Sequence, residues 1–119
     1  MSNEAPTQTE VQPERVVELV AAGAQLIDVR RPYEWEGGRI EGARNIEMND
    51  LSAAAETLDR ERPVVFYCRS GNRSGMAAVA FREAGYEAYN MSGGITAWAA
   101  DGRPLDPSGG EVRAPLPGS

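Results

Sequence analysis

Chemistry in this chain starts from one thiol. Cys68 is its only cysteine, and it opens the run Cys68-Arg69-Ser70-Gly71-Asn72-Arg73-Ser74. A tight loop holding Gly71 and Asn72, residues that tolerate unusual backbone angles, can turn successive N–H groups toward one point. A helix that begins as the loop ends adds its N-terminal partial positive charge there. Arg69 and Arg73 add formal charge nearby. A thiol in that field is expected to ionise below its free pKa of about 8.5, and each unit of depression favours the thiolate by about 1.4 kcal/mol. The same cradle suits a small oxyanion. The competing reading is a buried cysteine that packs as a small hydrophobe, but a core cysteine rarely has Arg-Ser-Gly-Asn-Arg straight after it.

What the chain lacks narrows the chemistry further. It has no histidine, and all 12 of its Lys or Arg residues are arginine. Ser–His and Cys–His nucleophile pairs, His-ligated zinc and an imidazole proton shuttle are therefore excluded, as is a lysine Schiff base. One cysteine allows neither an internal disulfide nor a Cys-cluster metal site. No metal and no organic cofactor is expected. A lone thiol, carboxylates, hydroxyls and arginine remain.

To work, Cys68 must stand at the end of a strand. Pro63-Val64-Val65-Phe66-Tyr67 supplies one, and a helix from about Arg73 to Ala84, ended by Gly85, follows the loop. Upstream, Pro13 suits a helix start, with Val16, Val17, Leu19 and Val20 as its apolar face and Gly23 as its stop. Leu26–Val29 reads as a strand buried on both faces, Pro32–Glu36 as one helical turn, and Ala43–Ile46 as a weak strand. Asn49 or Asp50 is placed to cap a helix running to about Leu58. Tyr86–Tyr89 is a further strand, Ile95–Ala100 a last helix, and an edge strand is expected around Val11. Strands alternating with helices predict an α/β fold: a doubly wound, mostly parallel sheet of about five short strands with helices on both faces. In such sheets, sites lie beyond the carboxyl ends of the strands, where Cys68 falls.

The chain has 119 residues and 12.8 kDa, one domain's worth, with 41% hydrophobic and 25% charged residues. Residues 1–8 read as a flexible acidic tail, 9–105 as the domain and 106–119 as a flexible Pro/Gly-rich tail. The net charge of −6 argues against a nucleic-acid partner. No run approaches the length of a membrane span. The polar start is neither a secretory signal nor a transit peptide, so a cytoplasmic location is expected.

Four segments also carry a resemblance: Leu26-Ile27-Asp28-Val29-Arg30, Gly38-Arg39-Ile40-Glu41-Gly42-Ala43-Arg44-Asn45-Ile46, Cys68–Ser74, and Ser92-Gly93-Gly94-Ile95-Thr96-Ala97-Trp98. In that order, spanning roughly Val11 to Pro104, they resemble a single-domain rhodanese. The resemblance implies a thiosulfate:cyanide sulfurtransferase. A Cys68 thiolate would attack the outer sulfur of thiosulfate and release sulfite. The resulting persulfide would pass its sulfur to cyanide, or to a thiol, small or borne on a protein. Backbone N–H groups of Arg69 to Arg73 would stabilise the persulfide. The missing histidine fits, because an ionised thiol attacking soft sulfur needs no general base. One position departs from the family: Arg39 stands where histidine is usual.

Around Cys68, Arg69 is expected to bind the donor's oxygens, while Arg73 either does the same or braces the loop. Asp28 and Arg30, at the end of a neighbouring strand, read mainly as a supporting ion pair. Trp35 and Trp98 read as core or rim residues, and Gly93-Gly94 as a turn into the last helix. Three rivals stand beside sulfur transfer to small acceptors. A phosphatase or arsenate reductase would have five residues between cysteine and arginine, where this chain has four. A non-catalytic regulatory module of the same fold would usually lack the cysteine. A persulfide carrier serving a dedicated protein partner differs in acceptor and not in chemistry.

Overall fold

The computed structural model describes residues 9–115; the expected tail at 1–8 lies outside the described residues, as do 116–119. Five parallel strands form one sheet in the order β1-β5-β4-β2-β3. They are β1 (Glu10–Val11), β2 (Gln25–Asp28), β3 (Arg44–Asn45), β4 (Val64–Tyr67) and β5 (Ala88–Met91). Between them run α1 (Pro13–Ala21), α2 (Pro32–Gly37), α3 (Leu51–Ala54) and α4 (Asn72–Glu83), and α5 (Gly94–Ala100) follows β5. β4 shows why its sequence is an unbroken apolar run. Val64 and Phe66 pack into the layer beneath α4 with Ala77, Ala78 and Phe81. Val65 and Tyr67 face the other way, into the layer with Val16, Leu19, Ile95 and Trp98 of α1 and α5. A strand covered on both faces has no polar side to present.

Two elements differ from the expectation. The last strand starts at Ala88 and not at Tyr86, because Tyr86 belongs to the end of α4: its N–H donates to Phe81 O at 2.9 Å and its ring lies 5.0 Å from that of Phe81. The helix expected through Leu58 is broken into α3 flanked by 3-10 turns at Met48–Asp50 and Ala55–Thr57. Thr57 Oγ1 donates to Ala54 O at 2.6 Å, a local bond that competes with helix continuation.

Beyond α5 the chain doubles back. Trp98 Nε1 donates to Pro104 O at 2.8 Å. Arg39 and Asp106 exchange backbone bonds of 3.0 and 2.7 Å, and Glu111 N–H donates to Gly37 O at 2.8 Å. Leu105 and Val112 pack against the layer of α1 and α5. Residues 106–115 thus lie along α2 and the loop after it. No helix among the described residues is long and apolar enough to cross a membrane.

β2 continues outward to β3, whereas the adjacent β4 continues in the opposite direction to β5. Neighbouring strands whose connections diverge leave a crevice at their carboxyl ends. Asp28 of β2 is in register with Tyr67 of β4, which places the loops after Asp28 and Tyr67 on either side of that crevice.

Candidate active site

Cys68 directly follows β4 and is 1% exposed. Burial alone would fit an inert core thiol, but polar donors converge on this sulfur. Gly71 N–H donates to Sγ at 3.1 Å and Ser74 Oγ lies 3.3 Å from it. Burial pushes the thiol pKa up; the Ser74 hydroxyl and the N–H groups of Ser74, Gly71 and Ser70 outweigh that, and the net position is below the ordinary cysteine value. Donors aimed at sulfur stabilise its anion, as the loop's residue types predict.

The loop owes its shape to glycines at close quarters. Gly71 takes φ +106° at the N-cap of α4, a left-handed conformation that a side chain disfavours. Asn72, expected to share that role, is instead the first residue of α4, and no described residue other than glycine has positive φ. From beneath, α5 meets the loop backbone: Ile95 N–H donates to Cys68 O at 2.9 Å and Thr96 N–H to Arg69 O at 3.1 Å. Gly94 sits between them at φ +60°, and a Cβ there would collide with the carbonyls of Cys68 and Arg69. Gly93-Gly94 is therefore more than a turn. It lets a helix end approach the loop closely enough to hold two of its carbonyls.

The arginines divide by task. Arg73 makes two 2.9 Å bonds to the fully buried carboxylate of Glu34, on α2. Burial pushes the Glu34 carboxyl up, but the Arg73 bonds, the Arg31 N–H and the cations Arg73 and Arg30 hold it below the ordinary carboxylate range. Arg73 is thus a brace from α4 to α2, while its charge still acts on Cys68. Arg69 is half-buried, and its guanidinium forms no ion pair among the described residues; its Nε has no hydrogen-bond partner there. Ser70 and Asn72 are exposed at the loop's rim.

Asp28 and Arg30 are fully buried and clasp each other through bonds of 2.7 to 3.0 Å. Arg30 Nη2 also donates to Gly38 O at 2.7 Å, and Asn45 Nδ2 donates to the carbonyls of Asp28 and Arg30 at 3.0 Å. They hold the turn after β2. Arg39, the departure from the family pattern, stacks over the Trp35 ring at 5.0 Å, donates to Trp35 O at 3.1 Å and lies 3.7 Å from the Asp106 carboxylate. Arg39 thereby clamps the returning segment.

This arrangement can present one stabilised sulfur anion beside an uncommitted guanidinium. A family model described as a rhodanese-like domain matches residues 12–101. The chain belongs to the rhodanese family. It is 47% identical over 76 residues to the uncharacterized protein YqhL of Bacillus subtilis, covering 63% of this chain and 60% of that protein. It is 34% identical over 103 residues to the thiosulfate sulfurtransferase GlpE of Pseudomonas aeruginosa, covering 86% of this chain and 93% of that protein. A rhodanese-related protein of Thermoplasma volcanium superposes with a TM-score of 0.76 at 28% identity, over 81% of this chain and 95% of that one.

Two contributors to this rhodanese site were not read from the sequence. Glu34 carries only the weak signal of a carboxylate in a helix's first turn. Asn90, 2% exposed, accepts from Ser74 Oγ at 2.5 Å and donates to Gly71 O at 3.1 Å. Its signal was present, an asparagine inside a strand where that residue is disfavoured.

Proposed function

We propose that this rhodanese is a sulfurtransferase that carries sulfane sulfur on Cys68. The thiolate attacks the outer sulfur of thiosulfate. A bond forms from Sγ to that sulfur, the old sulfur–sulfur bond breaks, and its electron pair leaves with sulfite. The terminal sulfur now bears the negative charge. Attack on it by cyanide yields thiocyanate and returns the Cys68 thiolate; a thiol acceptor takes the same sulfur as a new persulfide. No proton need be removed in the attack on the donor, so the chemistry runs without a general base. One observation carries this reading: Gly71, Ser70 and Ser74 aim donors at the Cys68 sulfur strongly enough to overcome burial. Arg69, uncommitted at the loop, suits the donor's oxygens, and the relative named thiosulfate sulfurtransferase supports thiosulfate as donor. Asp28, locked to Arg30, is unsuited to serve as the leaving-group acid of a phosphatase.

A protein-borne acceptor has separate support. Met76 and Val79 of α4 are 63% and 53% exposed and line one groove with Gly71 and Asn72, flanked by the carboxylates of Glu10 and Glu83, which puts exposed apolar side chains beside the loop. Thiocyanate formation from thiosulfate and cyanide tests the main reading. The wild-type chain is expected to turn over and Cys68→Ser to be inert. Turnover by the Ser variant would refute the persulfide. Discharge of the added sulfur to a protein thiol, but to neither cyanide nor a small thiol, would favour the carrier.

A further inference from the structure

Behind the Cys68 loop lies a chain of side chains that the sulfur chemistry above does not use. The Glu10 carboxylate, on edge strand β1, accepts from Asn90 Nδ2 at 3.0 and 2.9 Å and from Ser92 Oγ at 2.9 Å. A carboxylate only accepts, and so does the Gly71 carbonyl that takes the same Nδ2 at 3.1 Å, so the two together fix which end of the Asn90 amide faces them. The amide's other end, Oδ1, is thereby turned to Ser74 Oγ, 2.5 Å away. Ser74 is fully buried and also lies 3.3 Å from Cys68 Sγ.

A hydroxyl has one proton, and Ser74 faces two acceptors. When Cys68 is a thiolate, the proton can turn to sulfur, leaving Asn90 Oδ1 without its bond. When Sγ is neutral, as a thiol or as the inner atom of a persulfide, the proton belongs with Asn90. We propose that Glu10 and Asn90 are positioning residues that act through Ser74, competing with the Cys68 sulfur for its hydroxyl proton and so keeping the thiolate lightly hydrogen-bonded and reactive. A less stabilised thiolate is the better nucleophile, and the best attacking thiol titrates near ambient pH. The competition also favours the neutral inner sulfur of the persulfide, for which the Ser74 proton is not needed. The inference rests on the reading of Cys68 as nucleophile, but its test does not.

Other charges around Glu10 are Glu14, Arg15 and Glu18 of α1 and Glu83 of α4; those close to Cys68 are Arg69 and Arg73. The decisive experiment is a titration of Cys68 by ultraviolet thiolate absorbance, taken as a difference against Cys68→Ser. Cys68 is the only cysteine, so the signal reports it alone and needs no sulfur transfer. Glu10→Gln keeps an acceptor but removes the charge that, with Gly71 O, holds Asn90 Nδ2, and is expected to shift the midpoint to lower pH by about half a unit. In a Ser74→Ala background the same substitution is expected to shift nothing, since the link is gone. If Ser74→Ala does not fold, Asn90→Ala breaks the same link. No shift from Glu10→Gln alone, or an equal shift in both backgrounds, would overturn the proposal; the latter would mean that Glu10 acts only through space.

Discussion

At the scale of single residues, the two loop arginines have opposite fates under substitution. Arg69 has no ion-pair partner among the described residues, so Arg69→Ala is expected to leave the unfolding midpoint unchanged and raise the KM for thiosulfate several-fold, checked by steady-state kinetics beside thermal melts. Equal kinetics would make Arg69 a bystander. Arg73 is coupled to Glu34, whose pKa is lowered on folding. A carboxylate lowered on folding adds stability above its unfolded value of about 4.3, and that contribution is lost as pH falls through the folded value. Denaturant titrations are therefore expected to show wild-type stability falling below about pH 4.3. Glu34→Gln is expected to be weaker near neutrality, by about 2 kcal/mol, and flatter in acid. A variant as acid-sensitive as the wild type would assign the effect to other carboxylates.

At the scale of elements, the loop is a junction of three: β4 delivers Cys68, α4 starts at the donors, and the first turn of α5 holds the carbonyls of Cys68 and Arg69. Gly94→Ala is accordingly expected to cost about 2 kcal/mol or more, from overpacking and strain at positive φ, and to slow sulfur transfer; chemical denaturation with activity assays would show both. Full activity in a stable Ala variant would mean that α5 does not shape the loop. Much of this was legible beforehand. The apolar run Val64–Tyr67 marked a strand buried on both faces, and the Gly71 position marked the turn. Less legible were features set by distant partners. Tyr86 reads as a strand residue until Phe81 claims it, and nothing local ties Glu34 to Arg73. Asn90 reads as a flaw in β5 until Glu10, Ser74 and Gly71 surround it.

At the scale of the molecule, the sheet order places the ends of β2 and β4 side by side, and the fold invests a fully buried ion pair, Asp28–Arg30, in holding the turn beside the thiol. Removing one partner strands the other charge, so Asp28→Ala is expected to lose about 3–5 kcal/mol in denaturant unfolding; a loss under about 1 kcal/mol would show that the pair is not held in that buried state. The dependence on one sulfur is tested most directly by intact mass after thiosulfate treatment, and again after cyanide. The expected result is a gain of one sulfur atom, its loss on cyanide addition, and no gain in Cys68→Ser. A folded, reduced wild-type chain that gains no sulfur from thiosulfate or from a persulfide donor, or a Ser variant that does gain it, would rule out a Cys68 persulfide.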